Sequence, residues 1–375
     1  MKRLVLVGAG HAHAQVLLTL SRRRPADLEL TLVSPDALAP YSGMIPGWMA
    51  GHYGWDECCI DFERLCRHAG ARFLRNVGSA VDTSRQCLHL AGGGHVDYDV
   101  LSFDIGSTAM PPAGDGARVL AMRPLTRLRE HWDRLRADVC VLAPGSSYRV
   151  LMVGGGAAGV ESLLATRRQL ARWAPAIRIE CVLATNGQAL LPALAGRAGR
   201  LAQAHLRQNG IDIVRGFDAR SADGTGVLGQ DGRHLCADVV LWATGAGPHA
   251  WPVAGNLAAD AAGFIRVDAM LRSVSHPNVF AAGDCAGLPE PVPKAGVYAV
   301  RMGPVLAHNL DAALHGRPLE PYRPQRRNLV LLGTGGRHAI GAWGPFAWQG
   351  ASTWRWKERI DRRFLARYNS GPRPA

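Results

Sequence analysis

Two glycine-rich stretches carry residue types that can hold a phosphate without any side chain. Gly8-Ala9-Gly10-His11-Ala12-His13 follows the apolar run Leu4–Val7, and Gly154-Gly155-Gly156-Ala157-Ala158-Gly159 follows Val150–Val153. Each reads as strand, turn and helix. The first glycine permits the tight turn and the second lets the backbone approach a pyrophosphate, which sits on the exposed N–H groups at the positive end of the helix. The second copy fills all three glycine positions, whereas His13 takes the third position in the first. Ser34, at the end of the strand Leu28–Val33, stands where an acid usually meets ribose hydroxyls, and a serine can still hydrogen-bond there. The plain alternative is a glycine turn in a parallel sheet with no ligand.

The elements behind these turns are short apolar strands. Asp238–Gly245 is a buried strand running into a glycine turn, a related strand from Tyr98 to Ile105 ends at Gly106-Ser107, and the strand Ser275–Ala282 ends in Gly283-Asp284. At that last corner a carboxylate faces a position that glycine leaves open to a ligand. Parallel strands alternating with helices give an α/β fold.

With 375 residues, 47% of them hydrophobic, the chain suits two or three compact domains. The net charge of +13 comes from 40 arginines against 3 lysines, a bias suited to a GC-rich genome; blocks such as Arg22-Arg23-Arg24 and Arg326-Arg327 are short, and no nucleic-acid motif accompanies them. The eight cysteines (Cys58, Cys59, Cys66, Cys87, Cys140, Cys181, Cys236 and Cys285) show neither CxxC spacing nor paired histidine ligands, so no metal site and no disulfide framework is expected. No signal-peptide core precedes Gly8 and no apolar run reaches the roughly 18 residues of a membrane span. The expected location is cytoplasmic, at the inner face of the membrane if the chain touches one.

Taken together, the doubled turn and the Gly283-Asp284 corner resemble the pyridine nucleotide–disulfide oxidoreductase family of two-dinucleotide-binding flavoproteins, over essentially the whole chain. Within it the chain is similar to the type II NADH dehydrogenase branch and to the flavoprotein modules fused to selenide, water dikinase. The carriers are Gly8-Ala-Gly-His-Ala-His, Pro40-Tyr41-Ser-Gly-Met-Ile-Pro-Gly47, Pro293-Lys-Ala-Gly-Val-Tyr-Ala-Val-Arg301 and Trp356-Lys-Glu-Arg-Ile-Asp361. The resemblance implies FAD held by Gly8, Gly10, Ala12, Ser34, Gly106, Gly283 and Asp284, and NAD(P)H as co-substrate at Gly154, Gly156, Gly159 and Gly245. It further implies a helix starting at Lys294-Ala295-Gly296 and aimed at the flavin, with Lys294 and Glu161 as candidate catalytic residues. Lys294 as a surface lysine and Glu161 as a helix cap are the structural alternatives. Ala184-Thr185, after the strand 177–183, offers neither an acid nor an arginine, so NADH and NADPH are not distinguished. The segment 35–57 has no cysteine, which removes the family's redox disulfide; none follows Cys285, which departs from the sulfide-oxidising branch.

From Trp354 onward, Trp356, Ile360, Phe364 and Tyr368 recur every four residues among arginines. This predicts a basic amphipathic helix over 354–368 that either lies on a membrane, exposing its aromatic stripe, or packs on the protein or a second subunit as a homodimer, burying it. The preceding Leu329–Gly336 and Arg337–Trp348 read as two or three antiparallel strands.

The expected architecture is two Rossmann-like domains, the second nested in the first. The FAD-binding domain is split between 1–110 and 255–325, the NAD(P)-binding domain occupies 111–254, and 326–375 forms a strand-and-helix cap. The expected chemistry passes electrons from NAD(P)H through flavin to a quinone or other small acceptor. The alternatives are an FAD enzyme acting on a sulfur or selenium compound, a flavin-binding scaffold, and a dehydrogenase without flavin. Roles for His11 and His13 beyond packing and capping stay open.

Overall fold

The computed structural model describes residues 1–23, 25–109 and 118–370. Arg24 of the triple-arginine block and the expected domain boundary at 110/111 lie outside the described residues.

Two five-stranded parallel sheets dominate; four strands follow the same order in both, and the edge strand comes last in the chain in the first sheet and first in the second. The first runs Val279–Ala281, Val100–Phe103, Lys2–Val7, Leu28–Ser34 and Arg72–Arg75; the second runs Val119–Ala121, Val239–Trp242, Ser147–Val153, Arg178–Thr185 and Ile211–Arg215. Both central strands are buried runs: Leu4 to Val7 and Val150 to Val153 are each at most 3% exposed. Burial on both faces is what a parallel sheet covered by helices requires, and it explains why the sequence shows continuous apolar runs rather than alternation.

Four helices matter for the site: α1 (His11–Arg22), α2 (Ala157–Trp173), α3 (Gly296–Leu314) and α4 (Ala351–Asn369). α1 packs on α3, closely enough that a Cβ on Gly303 would meet Gln15. Each sheet carries a three-stranded antiparallel excursion, Gly78–Asp82/Cys87–Leu90/His95–Asp97 in the first and Ala219–Asp223/Gly226–Gly229/His234–Cys236 in the second. Near the C-terminus Val330–Gly333, Ala339–Trp343 and Phe346–Gly350 form a third antiparallel sheet, and α4 packs across it.

The expected aromatic stripe on α4 does not exist as one face. Trp354, Lys357, Asp361, Leu365 and Tyr368 are buried, while Trp356 is 44% and Ile360 38% exposed. Four-residue spacing overshoots the helical repeat by about 40° per step, so Trp356 and Tyr368 end up about 120° apart. The buried face is the 3,4-spaced set, and it includes one lysine and one aspartate.

Candidate functional site

The two glycine turns have the same backbone frame. Gly8 N–H donates to Val33 O at 2.9 Å and Gly154 N–H to Ala184 O at 2.8 Å. Opposite them, Asp104 N–H donates to Val7 O and Ala243 N–H to Val153 O, both at 2.9 Å. Asp104-Ile105-Gly106 and Ala243-Thr244-Gly245 are therefore equivalent segments. Gly8 and Gly154 both have positive φ, and a Cβ on either would strike the opposing backbone, at Asp104 O or at Ala243 O.

The first turn holds its own carboxyl group. Asp104, 3% exposed, accepts the N–H groups of Ala12 at 2.7 Å and His13 at 3.0 Å through Oδ2. Burial pushes its carboxyl up to about 7, against the pull of those two amides. Gly10 must be glycine because a Cβ there would overlap the Asp104 carboxyl, and Gly283 approaches the same group. The close approach expected of Gly10 toward a pyrophosphate is thus first of all an approach to Asp104. The amides of Gly10 and His11 at the mouth of the turn stay available. His13 is fully buried: its Nδ1–H donates to Gly8 O at 2.7 Å, and its Nε2 accepts from the Ser102 hydroxyl at 2.9 Å. His13 packs beneath the turn. Ser34 is buried and donates to Asp36 O at 3.0 Å.

Around the mouth of this turn several groups converge without filling it. His11 Nε2 is shielded and has no partner among the described residues; burial pulls the imidazole down to about 4, leaving it neutral. Gly106 has φ +70°, and no atom lies within 4 Å of where its Cβ would be. The first turn of α3, capped at Ala295, receives no side-chain hydrogen bond, so the Gly296 end presents bare N–H groups. Asp284 accepts from Arg123 Nη1 at 2.5 Å and from the Ser107 hydroxyl at 3.2 Å. Arg123 also donates to Lys294 O at 3.0 Å, tying the second sheet's edge to the loop before α3. An orphaned ring nitrogen, an open glycine, two helix N-termini and a carboxylate fit a dinucleotide with a polyol chain, so FAD fits this groove.

Lys294, the candidate catalytic lysine, is engaged within the protein. Its Nζ donates to Ala286 O at 2.6 Å and lies 3.8 Å from the centre of the Phe264 ring; burial pulls its pKa down. The residue braces the loop before α3.

The second turn is open. α2 begins at Gly156 without a side-chain cap, and neither Gly156 nor Gly245 has an atom within 4 Å of its Cβ position. Gly159 has no such room, since a Cβ would lie 1.9 Å from Gly154 O. These features fit a second dinucleotide at α2. Thr185, at the end of its strand, turns its hydroxyl to the Gly187 amide at 3.4 Å.

Glu161 connects the two regions. It is 8% exposed, and its Oε1 accepts the Gly333 N–H at 2.6 Å and lies 4.0 Å from Lys357 Nζ. Lys357 donates to Asp361 Oδ2 at 2.8 Å and to Gly43 O. Tyr41 lies against Asp361 and helps hold its pKa down against burial. Tyr41 stacks on Phe364 at 4.3 Å, and its ring centre is 5.6 Å from that of His11. A polar chain, Glu161–Lys357–Asp361–Tyr41, thereby runs from the start of α2 to the first turn. Burial pushes Glu161 up to about 7 and also raises Asp361, with Lys357 opposing both. Burial would lower Lys357, but the two carboxylates outweigh it and raise it. Two buried acids share one buried ammonium, an arrangement that favours keeping a proton on the pair. Cys58 lies beside this chain, and burial pushes its thiol up to about 12, so it is no thiolate at neutral pH.

Asp104 and Arg123 are not singled out in the sequence reading, and Tyr41, Lys357 and Asp361 enter it only inside the motifs that carry the resemblance, without roles of their own. Lys357 and Asp361 were findable, as an i, i+4 acid–base pair at two positions of a helix whose other charges are mostly arginine.

The cap presents an aromatic face. In the hairpin Ala339–Trp343/Phe346–Gly350, Trp343 pairs with Phe346 and Gly341 with Trp348, so these side chains share one side of the sheet. Trp343 is 55% and Phe346 69% exposed, and Trp348 stacks on Trp356 at 6.4 Å. The other side of the hairpin, Ile340, Ala342 and Ala347, is buried. Among the described residues no helix is long and apolar enough to cross a membrane.

Residues 2–303 match the family described as pyridine nucleotide-disulphide oxidoreductase. The alternative NAD(P)H-ubiquinone oxidoreductase C1, chloroplastic/mitochondrial, of Arabidopsis thaliana is 26% identical over 350 residues, covering 83% of this chain and 66% of that protein. The biphenyl dioxygenase system ferredoxin–NAD(+) reductase component of Paraburkholderia xenovorans is 30% identical over 226 residues, covering 59% of this chain and 52% of that protein. This chain thus spans less than two thirds of either relative. The structure of the sulfide:quinone oxidoreductase from Aquifex aeolicus superposes with a TM-score of 0.81 at 16% identity, covering 99% of this chain and 92% of that one.

Proposed function

Because the chain belongs to the pyridine nucleotide-disulphide oxidoreductase family, we propose that it is an FAD-dependent oxidoreductase that takes electrons from NAD(P)H and delivers them to a quinone at a membrane surface, without a redox disulfide. When bound, FAD supplies the two-electron chemistry; the protein supplies position, charge and protons. One observation carries the reading: the buried chain Glu161–Lys357–Asp361–Tyr41 runs from the start of α2 toward the first glycine turn, and no thiolate takes part in it.

In this reading the split 1–110 and 255–325 segment binds FAD, 111–254 binds NAD(P)H, and 326–375 is the acceptor-side cap. Asp284, held by Arg123 and Ser107, would hold the polyol of FAD, and the bare N-terminus of α3 would offer positive potential to its flavin. Lys294 fixes the loop that aims α3. Glu161 and Asp361, with one proton between them, hold the proton that quinone reduction consumes. The aromatic face of Trp343, Phe346, Trp348 and Trp356, with Arg355 and Arg359 alongside Trp356, suits the headgroup level of an anionic bilayer, where a quinone is drawn from the lipid. Both NAD(P)H-ubiquinone and ferredoxin reductases stand among the relatives, so the acceptor is the point to test.

The flavin-loaded protein is reduced anaerobically and mixed with a soluble ubiquinone analogue or with a ferredoxin, and its sedimentation with anionic vesicles is measured in parallel. Fast reoxidation by the quinone, and vesicle binding lost in the Trp343→Ser/Phe346→Ser double variant, are expected. Reoxidation by the ferredoxin alone, with no vesicle binding, would overturn the quinone assignment.

A further inference from the structure

The antiparallel excursion of the first sheet places three ligating side chains on one face. Its register pairs Val81 with Leu88 and Asp82 with Cys87. Val81 and Leu88 point into the core. Asp82, Cys87 and His89 therefore emerge on the opposite side, Cys87 and His89 two residues apart on one strand. Cys87 Sγ lies 3.8 Å from His89 Nε2, and the ligating atoms of all three residues fall within 4.8 Å of one another. Asp82 is already aimed: its Oδ1 accepts from Ser84 N, Ser84 Oγ and Arg85 N at 3.1, 2.6 and 2.9 Å, which fixes the carboxylate and leaves Oδ2 free.

We propose that Asp82, Cys87 and His89 form a zinc site with a fourth, solvent-facing position. Thiolate, imidazole and carboxylate together are the donor set of Zn²⁺, and tetrahedral bonds of about 2.0–2.3 Å set ligand atoms roughly 3.3–3.8 Å apart. The sulfur–nitrogen pair already meets that spacing, and side-chain rotation of Asp82 closes the remainder. The second sheet's excursion supplies the contrast, since Asp223, His234 and Cys236 are the same residue types. There His234 uses Nε2 toward Asp223 at 3.1 Å and Nδ1 toward Cys236 at 3.7 Å. The groups line up through opposite sides of the ring, so no point is common to all three. The carboxylate reaches the Cys-x-His pair from another strand, where CxxC-type spacing gives no warning.

The full-length, flavin-loaded protein is stripped with a chelator and titrated with Co²⁺ and, by calorimetry, with Zn²⁺. One equivalent of each metal should bind, with a thiolate-to-cobalt charge-transfer band in the difference spectrum. Cys87→Ser should abolish that band, His89→Gln and Asp82→Asn should weaken binding by about tenfold or more, and His234→Gln should change nothing. Because Cys87 is buried, the partly exposed His89 and Asp82 variants carry the test if Cys87→Ser fails to fold. Absence of the band, or Zn²⁺ affinity in His89→Gln and Asp82→Asn equal to that of the parent, would overturn the site.

Discussion

The two glycine turns share a backbone frame and differ in what fills it. At the first, Asp104 stoppers the start of α1 and His13 occupies the third motif position beneath the turn. At the second, Ala243 stands where Asp104 does, the start of α2 is bare, and Gly159 leaves no room for a side chain. The same fold element thus yields a groove already braced by internal polar contacts and a groove left open. The first suits a cofactor that stays, the second a nucleotide that comes and goes.

The largest expected effect lies at the third motif position. Gly159→Ala drives a Cβ into Gly154 O and should cost about 3 kcal/mol or more of stability in urea unfolding. His13→Gly should cost about 2–3 kcal/mol, from a lost buried ring and two buried hydrogen bonds, while flavin content at saturating FAD stays unchanged. Loss of flavin in His13→Gly would mean that the histidine contacts the cofactor and that the first turn is not self-braced. A smaller effect follows from charge. Asp104 titrates at about 7 when folded against an ordinary 3.8. Between those values the unfolded chain releases a proton that the folded chain keeps. Stability should therefore fall as pH rises through that window and level off above it. Asp104→Asn should remove on the order of 1–3 kcal/mol of this slope. Glu161→Gln should remove a further part, since Glu161 is likewise raised to about 7. An unchanged slope in both variants would contradict the buried carboxyls.

Much of the fold was legible in the sequence because both parallel sheets are buried on two faces, which writes them as apolar runs ending in glycines. The turns at Gly8 and Gly154 and the three strands before α4 follow from such punctuation, while the helix starting at Gly296 was implied by the family resemblance. Asp104 was hidden because it continues an apolar strand by one residue and leaves the sheet only in three dimensions. Arg123 sat unnoticed among 40 arginines, its partner Asp284 being 161 residues away. The α4 stripe misled because a four-residue repeat imitates a face over one turn and rotates off it over three. Lys294 drew attention by scarcity, yet Lys357, equally scarce, is the lysine that meets the buried acids.

The central claim is that the first turn retains FAD while the second admits NAD(P)H, and stopped-flow reduction of the bound flavin tests it most directly. The parent protein and Gly156→Val, which fills the open position at the start of α2, are mixed anaerobically with NADH and with NADPH over a range of concentrations. The account predicts rapid flavin bleaching in the parent by at least one nucleotide, and full flavin content in the variant with half-saturation shifted by about tenfold, roughly 1.4 kcal/mol of lost binding. Identical bleaching curves for the two proteins, or a flavin in the parent that neither nucleotide reduces, would contradict it.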